Sequence, residues 1–117
     1  MITENFRRAE FACPCCGLDS IDPDLVYLLQ ELRDYLDRPI IVTSGCRCAE
    51  HNAAVGGSPK SQHLLNRETG YCHAADIVVQ GVPAHVVQDI LDEMDIPGLG
   101  RYEDFTHADT RSGYARW

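Results

Sequence analysis

Three distant segments of this chain each end in a side chain that commonly binds metal ions, and this feature constrains the fold most. A Ser-Gln-His run ends at His63, an Ala-Ala-Asp run ends at Asp76, and an Asp-Phe-Thr-His run ends at His107. Two imidazoles and one carboxylate can close three corners of a zinc tetrahedron and leave the fourth open for water. An open corner is typical of a catalytic zinc site rather than a structural one. A fold that uses this arrangement must bring all three segments together.

The order of these segments, with one upstream motif, resembles a known family. A Ser-Gly-x-Arg run containing Arg47 precedes Ser-x-His, Ala-Ala-Asp and Asp-x-x-His. From about Phe6 to Arg111 the chain resembles the zinc D-Ala-D-Ala carboxypeptidases, whose wider group includes lysostaphin-type peptidases and the hedgehog signalling domain. It is most similar to short, single-domain members from bacteria and phages. The resemblance implies a zinc metallopeptidase that cleaves peptidoglycan stem peptides, as a D-Ala-D-Ala carboxypeptidase or an endolysin-type endopeptidase.

The resemblance also implies which residues carry the chemistry. His63, Asp76 and His107 would be the ligands of Zn²⁺, the expected cofactor. Three-ligand zinc lowers the pKa of its bound water to roughly 7, which supplies a nucleophile at neutral pH. Asp104 matches the acidic residue that the family places three before its last histidine. It would act as the general base that takes the proton of this water and returns it to the leaving amine.

Three further residues are expected to support the reaction. Arg47 would bind the substrate carboxylate or carbonyl and stabilise the oxyanion of the tetrahedral intermediate. Ser61 would either hydrogen-bond the substrate or support the loop of His63. Asp109 would accept a hydrogen bond from one of the metal ligands and so orient it. Some relatives carry a histidine at the position of Phe105, so assistance by such a histidine is not expected in this chain.

The stretch between His63 and Asp76 is longer than is usual in the family, with an insertion over residues 65–72. We interpret the insertion as a polar loop beside the site. It introduces His73 as an alternative ligand. If residues 73–79 form a strand, however, the side chains of His73 and Asp76 point to opposite faces. The strand pattern therefore favours His63 over His73 as the partner of Asp76.

The remaining pattern predicts one α+β domain over residues 1–117, a small antiparallel sheet with flanking helices, similar to the hedgehog and D-Ala-D-Ala peptidase fold. Asp22 can cap a first helix that Pro23 begins, and leucines at helical spacing continue to about Leu36. The β-branched run at 39–43 predicts a buried strand. The other predicted elements are a short helix at 48–55, a strand at 73–79, a helix at 82–94 and a hairpin of 99–102 with 105–110.

Charge and hydropathy restrict the partners. The formal net charge of −8 argues against a nucleic-acid module, which normally carries a basic face. The sequence shows neither a long apolar run nor a basic N-terminal region followed by an apolar segment, so we expect no membrane partner and no signal peptide. We therefore expect synthesis in the cytoplasm, with access to the peptidoglycan peptide substrate through lysis or with a phage particle. We also expect a monomer.

Six cysteines are many for a chain of 117 residues, and three interpretations remain open. They could supply a thiolate zinc site, form disulfides after release, or remain buried thiols. Cys13-x-x-Cys16 is the one C-x-x-C motif, so the usual pair of such motifs is missing. The six are Cys13, Cys15, Cys16, Cys46, Cys48 and Cys72.

A different class of function also fits the sequence. The domain could be a binding or phage structural module that keeps zinc without turnover, as the hedgehog domain shows is possible for this fold. Asp104 distinguishes the two interpretations, because a module that only recognises a partner does not need an acid at that position.

Overall fold

A computed structural model describes residues 2–117. It contains three α-helices, one 3₁₀ turn and seven short strands within this range. In chain order they are the 3₁₀ turn Arg8–Phe11, α1 (Pro23–Leu36), β1 (Ile40–Ser44), α2 (Ala49–Ala54), β2 (Leu65–Asn66), β3 (Tyr71–Cys72), β4 (Ala74–Val79), α3 (Ala84–Glu93), β5 (Gly98–Arg101), β6 (Thr106–Asp109) and β7 (Ala115–Arg116). Within residues 2–117 no helix is both long and apolar enough to cross a membrane.

The main sheet has the strand order β1-β4-β6-β5-β7. All its pairs are antiparallel except β5 with β7, and β2 pairs with β3 in a separate two-stranded sheet. This architecture confirms the predicted α+β class. The β4–β6 register places Asp76 directly opposite His107, so two of the three predicted ligands are cross-strand neighbours.

Local sequence signals explain α1. The side chain of Asp22 accepts a hydrogen bond from the backbone N–H of Asp24 at 3.0 Å, and Pro23 occupies the first helical position. The helix ends at Leu36 because Asp37 adopts the left-handed conformation, with φ 51°. The predicted helix is confirmed, and its apolar face contributes four fully buried residues to the core: Leu25, Val26, Leu29 and Leu32.

Strand β4 separates the core from the site. Ala75, Ile77 and Val79 belong to the apolar core, which also includes residues of α1 and α3. Asp76 is one residue out of phase with them and therefore faces the other side of the sheet. The period of two along this strand thus places one carboxylate on the face opposite the core.

The insertion at 65–72 differs from the expected loop. Its ends pair as β2 and β3, with Leu65 opposite Cys72. Cys72 is fully buried and forms a disulfide with Cys46, with 5.5 Å between the two Cα atoms. Thr69 and Tyr71 line a cavity with Asp22 rather than the cavity of the predicted ligands, so the insertion does not border the site.

Candidate metal centre and its cavity

Three elements bring the predicted ligands together. Asp76 lies on β4 and His107 on β6, where antiparallel pairing makes them neighbours. His63 comes from the turn before β2, and its backbone carbonyl accepts a hydrogen bond from the N–H of Arg47 at 2.9 Å. This bond ties the turn that carries His63 to the segment after β1. The site therefore depends on two sheet strands and two loops.

The potential ligand atoms of the three residues lie within 4.8 Å of one another. Oδ1 of Asp76 is 3.2 Å from Nε2 of His63 and 3.1 Å from Nδ1 of His107. The imidazole rings meet edge to face, with centroids 5.1 Å apart. All three side chains are buried, with exposed fractions of 2% for His63, 6% for Asp76 and 7% for His107.

The remaining nitrogen of each imidazole has a fixed acceptor. Nδ1 of His63 donates to the carbonyl oxygen of Gly45 at 2.7 Å, and Nε2 of His107 donates to Oδ2 of Asp109 at 2.7 Å. These bonds fix the tautomers and leave Nε2 of His63 and Nδ1 of His107 directed toward Asp76. Histidines that bind metals are normally held in this way. Two oriented imidazole nitrogens and one carboxylate oxygen are a donor set that fits Zn²⁺.

The pKa values of the group reflect its mutual hydrogen bonds. Burial opposes the charged form of Asp76, but hydrogen bonds from His107 and His63 hold the pKa of its carboxyl well below the usual range. Burial also opposes a charged His107, yet Asp109 and Asp76 raise the pKa of its imidazole above the ordinary value. The site thus stabilises positive charge at the imidazole of His107 and negative charge at the carboxylate of Asp76.

Asp109 is completely buried behind His107. Burial works against its charge, but hydrogen bonds from His107 and Arg111 lower the pKa of its carboxyl to about 2. Nη2 of Arg111 donates to Oδ2 at 2.7 Å. The backbone of Gly98 leaves room for this carboxylate, since a Cβ at that position would overlap it. The predicted contact of Asp109 with a candidate ligand is therefore present.

The three candidate ligands lie on the wall of a cavity of about 610 Å³. Arg47 and Ser61, the predicted substrate-binding residues, also line it. The other lining residues come from the segment 55–62 and from the C-terminal third of the chain: Val55, Gly56, Gly57, Ser58, Lys60, Gln62, Tyr102, Phe105, Arg111 and Trp117. The cavity therefore combines a potential metal centre with several cationic and aromatic side chains.

Arg47 is held by its neighbours at the edge of this cavity. Its guanidinium donates to Oγ of Ser44 at 3.0 Å, to Oδ1 of Asn52 at 3.3 Å and to Oδ2 of Asp76 at 3.3 Å. Oγ of Ser61 accepts the backbone N–H of His63 at 3.1 Å, as expected of a residue that supports this loop. Arg47 thus neighbours the candidate ligands directly, whereas Ser61 acts on the turn that carries one of them.

Comparison with known proteins agrees with this geometry. A family model described as peptidase M15 matches residues 4–109. The chain belongs to the peptidase M15 family. The match confirms the resemblance to the zinc D-Ala-D-Ala carboxypeptidases and covers most of the chain. A search of curated proteins found no match.

M15 peptidases depend on zinc, and this member presents a His-Asp-His group that could bind it. The family therefore supports a zinc metallopeptidase. His73, the alternative ligand, lies apart from the group. Its Nδ1 is 3.1 Å from Oδ2 of Asp22, and its Nε2 is 2.7 Å from Oγ1 of Thr69.

The structure does not bring Asp104 into the cavity that His63, Asp76 and His107 line. Its side chain is exposed and lines a smaller cavity of about 230 Å³, together with Val79 and Val87. The neighbouring Phe105 borders both cavities. The role of Asp104 as general base stays a prediction that rests on the family motif.

The C-terminal residues of this cavity were not predicted from the sequence. Trp117 packs against His107, with 4.9 Å between ring centroids, and its Nε1 donates to the hydroxyl of Tyr102 at 2.9 Å. The guanidinium of Arg111 lies 4.9 Å from the Trp117 ring centroid. Trp117 reaches the cavity because β7, which directly precedes it, pairs with β5. The strand is too short to show a periodic pattern, so the sequence contains no signal for this return.

Proposed function

We propose that this chain is a zinc-dependent peptidase that cleaves peptidoglycan stem peptides, as a D-Ala-D-Ala carboxypeptidase or as an endolysin-type endopeptidase. The observation that carries the proposal is the set of His63, Asp76 and His107, with converging ligand atoms on the wall of an open cavity. Membership of the M15 family supports the peptidase activity. The proposal adds the substrate, namely the bond before a D-amino acid in the stem peptide.

In this proposal His63, Asp76 and His107 hold the metal. A bound Zn²⁺ would supply Lewis acidity and a water of lowered pKa at the cavity wall. The chain's own contribution is orientation, because the carbonyl of Gly45 and the carboxylate of Asp109 fix the two imidazoles. Fixed ligands reduce the reorganisation that the reaction would otherwise require.

Cationic side chains support an anionic end on the substrate. Arg47, Lys60 and Arg111 all line the cavity, and guanidinium groups bind carboxylates with well-defined geometry. Nη2 of Arg47 already pairs with Oδ2 of Asp76, so it is close enough to the metal group to contact a scissile carbonyl as well. We therefore favour a substrate with a free C-terminal carboxylate near the cleaved bond, which is the carboxypeptidase form of the proposal.

Asp104 is proposed to move a proton between water and the leaving amine. Among residues 2–117, Asp76 is the one carboxylate that lines the cavity, and a ligand cannot also serve as a free base. The base would therefore come from outside the lining of the cavity, and Asp104 directly precedes Phe105, which borders it. Catalytic contacts are often completed only when substrate binds.

The direct test is incubation with purified muropeptides and analysis of the products by mass spectrometry. Cleavage that a chelator abolishes and zinc restores is the expected result, and the product masses identify the bond. Asp104→Ala should retain zinc and reduce turnover by about 100-fold or more. Glu103→Ala is the matched control, since it removes an adjacent exposed carboxylate and should leave turnover unchanged.

One observation favours a second candidate, a zinc-containing binding or phage structural module without turnover. This observation is the position of Asp104 outside the cavity. Zinc-loaded protein that binds muropeptides but releases no product would support this candidate and overturn the peptidase proposal. Equal turnover of Asp104→Ala and the unmodified chain would instead exclude Asp104 as the base while leaving the peptidase activity in place.

A further inference from the structure

A second group of potential metal ligands lies outside the cavity described above. The sulfurs of Cys13, Cys16 and Cys48 lie within 4.8 Å of one another, and Sγ of Cys13 is 3.8 Å from Sγ of Cys48. Cys15 lies in the same turn as Cys13 and Cys16, and its side chain is exposed. Three thiols from two distant segments thus meet in one place, and a fourth lies in the same turn as two of them. They do not include Cys46 and Cys72, which form the disulfide.

The backbone of the first segment is folded to present these sulfurs together. The N–H of Gly17 donates to the carbonyl of Cys13 at 2.8 Å, and the N–H of Cys13 donates to the carbonyl of Leu18 at 2.7 Å. Gly17 adopts φ +79°, a backbone conformation that residues other than glycine rarely adopt. The resulting tight turn directs Cys13 and Cys16 to the same side, the usual function of a C-x-x-C spacing in zinc sites.

Backbone N–H groups point at the sulfurs. The N–H of Cys48 donates to Sγ of Cys13 at 3.4 Å, and the N–H of His51 donates to Sγ of Cys48 at 3.4 Å. Hydrogen bonds of this kind stabilise a thiolate, which is the form that binds metals. The surroundings of Cys13 therefore suit a ligand thiolate.

We propose that Cys13, Cys16 and Cys48 bind a second zinc ion, with Cys15 as the fourth ligand. Four thiolates in tetrahedral arrangement are the donor set of closed, structural zinc sites. A disulfide would use two of the sulfurs and leave the other two beside it without a partner of the same kind. A zinc ion uses all of them. Binding releases the protons of the four thiols to solvent and involves no change of oxidation state.

The position of this site gives it a structural role at the catalytic centre. Cys48 directly follows Arg47 and caps the N-terminus of α2. The loop before it lies against the N-terminal segment: the N–H of Cys46 donates to the carbonyl of Phe11 at 2.8 Å. A Cβ on Gly45 would be 2.6 Å from that same carbonyl oxygen, so the two backbones are in close contact. The second zinc would fix this loop, whose Gly45 carbonyl orients His63.

Zinc counting on the full chain tests the proposal. Protein loaded with zinc under reducing conditions is analysed by native mass spectrometry, and two zinc ions per chain are expected. His63→Ala should lose the ion of the catalytic centre and keep the other. Cys16→Ser and Cys48→Ser should each lose the second ion and keep the first. Cys16 is exposed, so its replacement leaves the core unchanged.

Two further measurements identify the ligands. Co²⁺ bound to the His63→Ala variant should show sulfur-to-cobalt charge-transfer absorption, and Cys16→Ser in the same background should abolish it. Cys15→Ser should weaken binding of the second ion at least tenfold. The matched control is the chain with Cys46→Ser and Cys72→Ser, which lacks two cysteines outside the cluster and should retain the absorption.

Several results would overturn the proposal. One is a zinc count in Cys16→Ser and Cys48→Ser equal to that of the unmodified chain. Another is full reactivity of all four thiols toward a thiol reagent in the presence of saturating zinc. Unchanged affinity in Cys15→Ser would remove that residue from the ligand set. These outcomes are independent of the peptidase proposal, because loss of catalytic zinc leaves the cobalt signal of the thiolate site in place.

Discussion

Replacing Asp109 by Asn tests whether the buried carboxylate behind His107 tunes the metal centre. Asp109 does not belong to the candidate ligands, yet its Oδ2 accepts from Nε2 of His107 at 2.7 Å and from Nη2 of Arg111 at 2.7 Å. The substitution changes a charged acceptor into a neutral one of nearly the same shape. The amide oxygen in place of Oδ2 can still accept from His107 and from Nη2 of Arg111. The amide nitrogen in place of Oδ1 cannot accept from Nε or the backbone N–H of Arg111.

The expected magnitude follows from this geometry. Hydrogen bonds to charged groups contribute about 1.5–3 kcal/mol, and neutral ones contribute about 0.5–1.5 kcal/mol. Converting the His107–Asp109 bond to a neutral one therefore costs about 1–2 kcal/mol of support for the ligand. At 1.4 kcal/mol per factor of ten, the zinc affinity should fall about 5- to 30-fold. This range overlaps the ten- to hundredfold losses that are typical of such supporting residues.

The assay is a zinc competition titration against a chromogenic chelator, at neutral pH and with the second site removed by Cys16→Ser. Asp89→Asn is the matched control. It also removes the charge of an aspartate paired with an arginine, because Asp89 accepts from Nη1 of Arg101 at 2.9 Å. That pair is solvent-exposed and has no hydrogen bond to either imidazole, so its loss should leave zinc affinity unchanged.

Equal zinc affinity in Asp109→Asn and the unmodified chain would refute the reasoning, provided that both are folded by circular dichroism. It would mean that strand β6 alone orients His107 well enough for zinc binding and that the charge of Asp109 does not affect zinc affinity. A loss as large in Asp89→Asn as in Asp109→Asn would also refute it, because a surface charge would then matter as much as the buried contact.

Three further predictions follow from the same contacts. Gly98→Ala should reduce zinc affinity at least as much as Asp109→Asn in the same titration, because the added Cβ overlaps the Asp109 carboxylate. Leu29→Ala should lower the free energy of unfolding by about 2–5 kcal/mol in urea titrations, since its side chain is fully buried in the core, while the folded protein keeps its zinc affinity. In zinc-free buffer, the melting temperature should be highest in mildly acidic solution. Folding lowers the pKa of Asp109 from 3.8 to about 2, so its contribution is complete above that usual value and is lost as the pH falls toward 2. Folding raises the pKa of His107 above 6.5, so its contribution is complete below 6.5 and is lost as the pH rises through the folded value; a melting temperature independent of pH would contradict both assignments.

Residues with a strong local signal were predicted well. Asp22 and Pro23 define the start of α1, and the leucine spacing defines its buried face, because capping and helical periodicity depend on neighbours within a few positions. The alternation along β4 likewise predicted that Asp76 and His73 point to opposite faces. The strand pattern favoured His63 over His73 as the partner of Asp76, and the structure places only His63 beside Asp76.

Other features could not be predicted because they depend on contacts between distant residues. The segment 65–72 was expected to be a polar loop but forms a short hairpin. Its Cys72 forms a disulfide with Cys46, which lies 26 residues earlier in the sequence. The hairpin bend at Asp104 was predicted, but its direction was not, and the side chain lies outside the main cavity. A turn residue's side chain is directed by the packing of its neighbours rather than by its own sequence context.

The sequence by itself indicated the three helices, the strands β1, β4, β5 and β6, the α+β class and, through the family resemblance, the candidate ligands. Periodicity, caps and motif order are local or depend only on order along the chain. The tertiary structure alone decided which side chains surround those ligands. Trp117 reaches His107 through the parallel pairing of β7 with β5, and Cys48 meets Cys13 across a sequence separation of 35 residues. Such contacts exist only when the core has fixed the relative positions of the strands and loops, so no local pattern could indicate them.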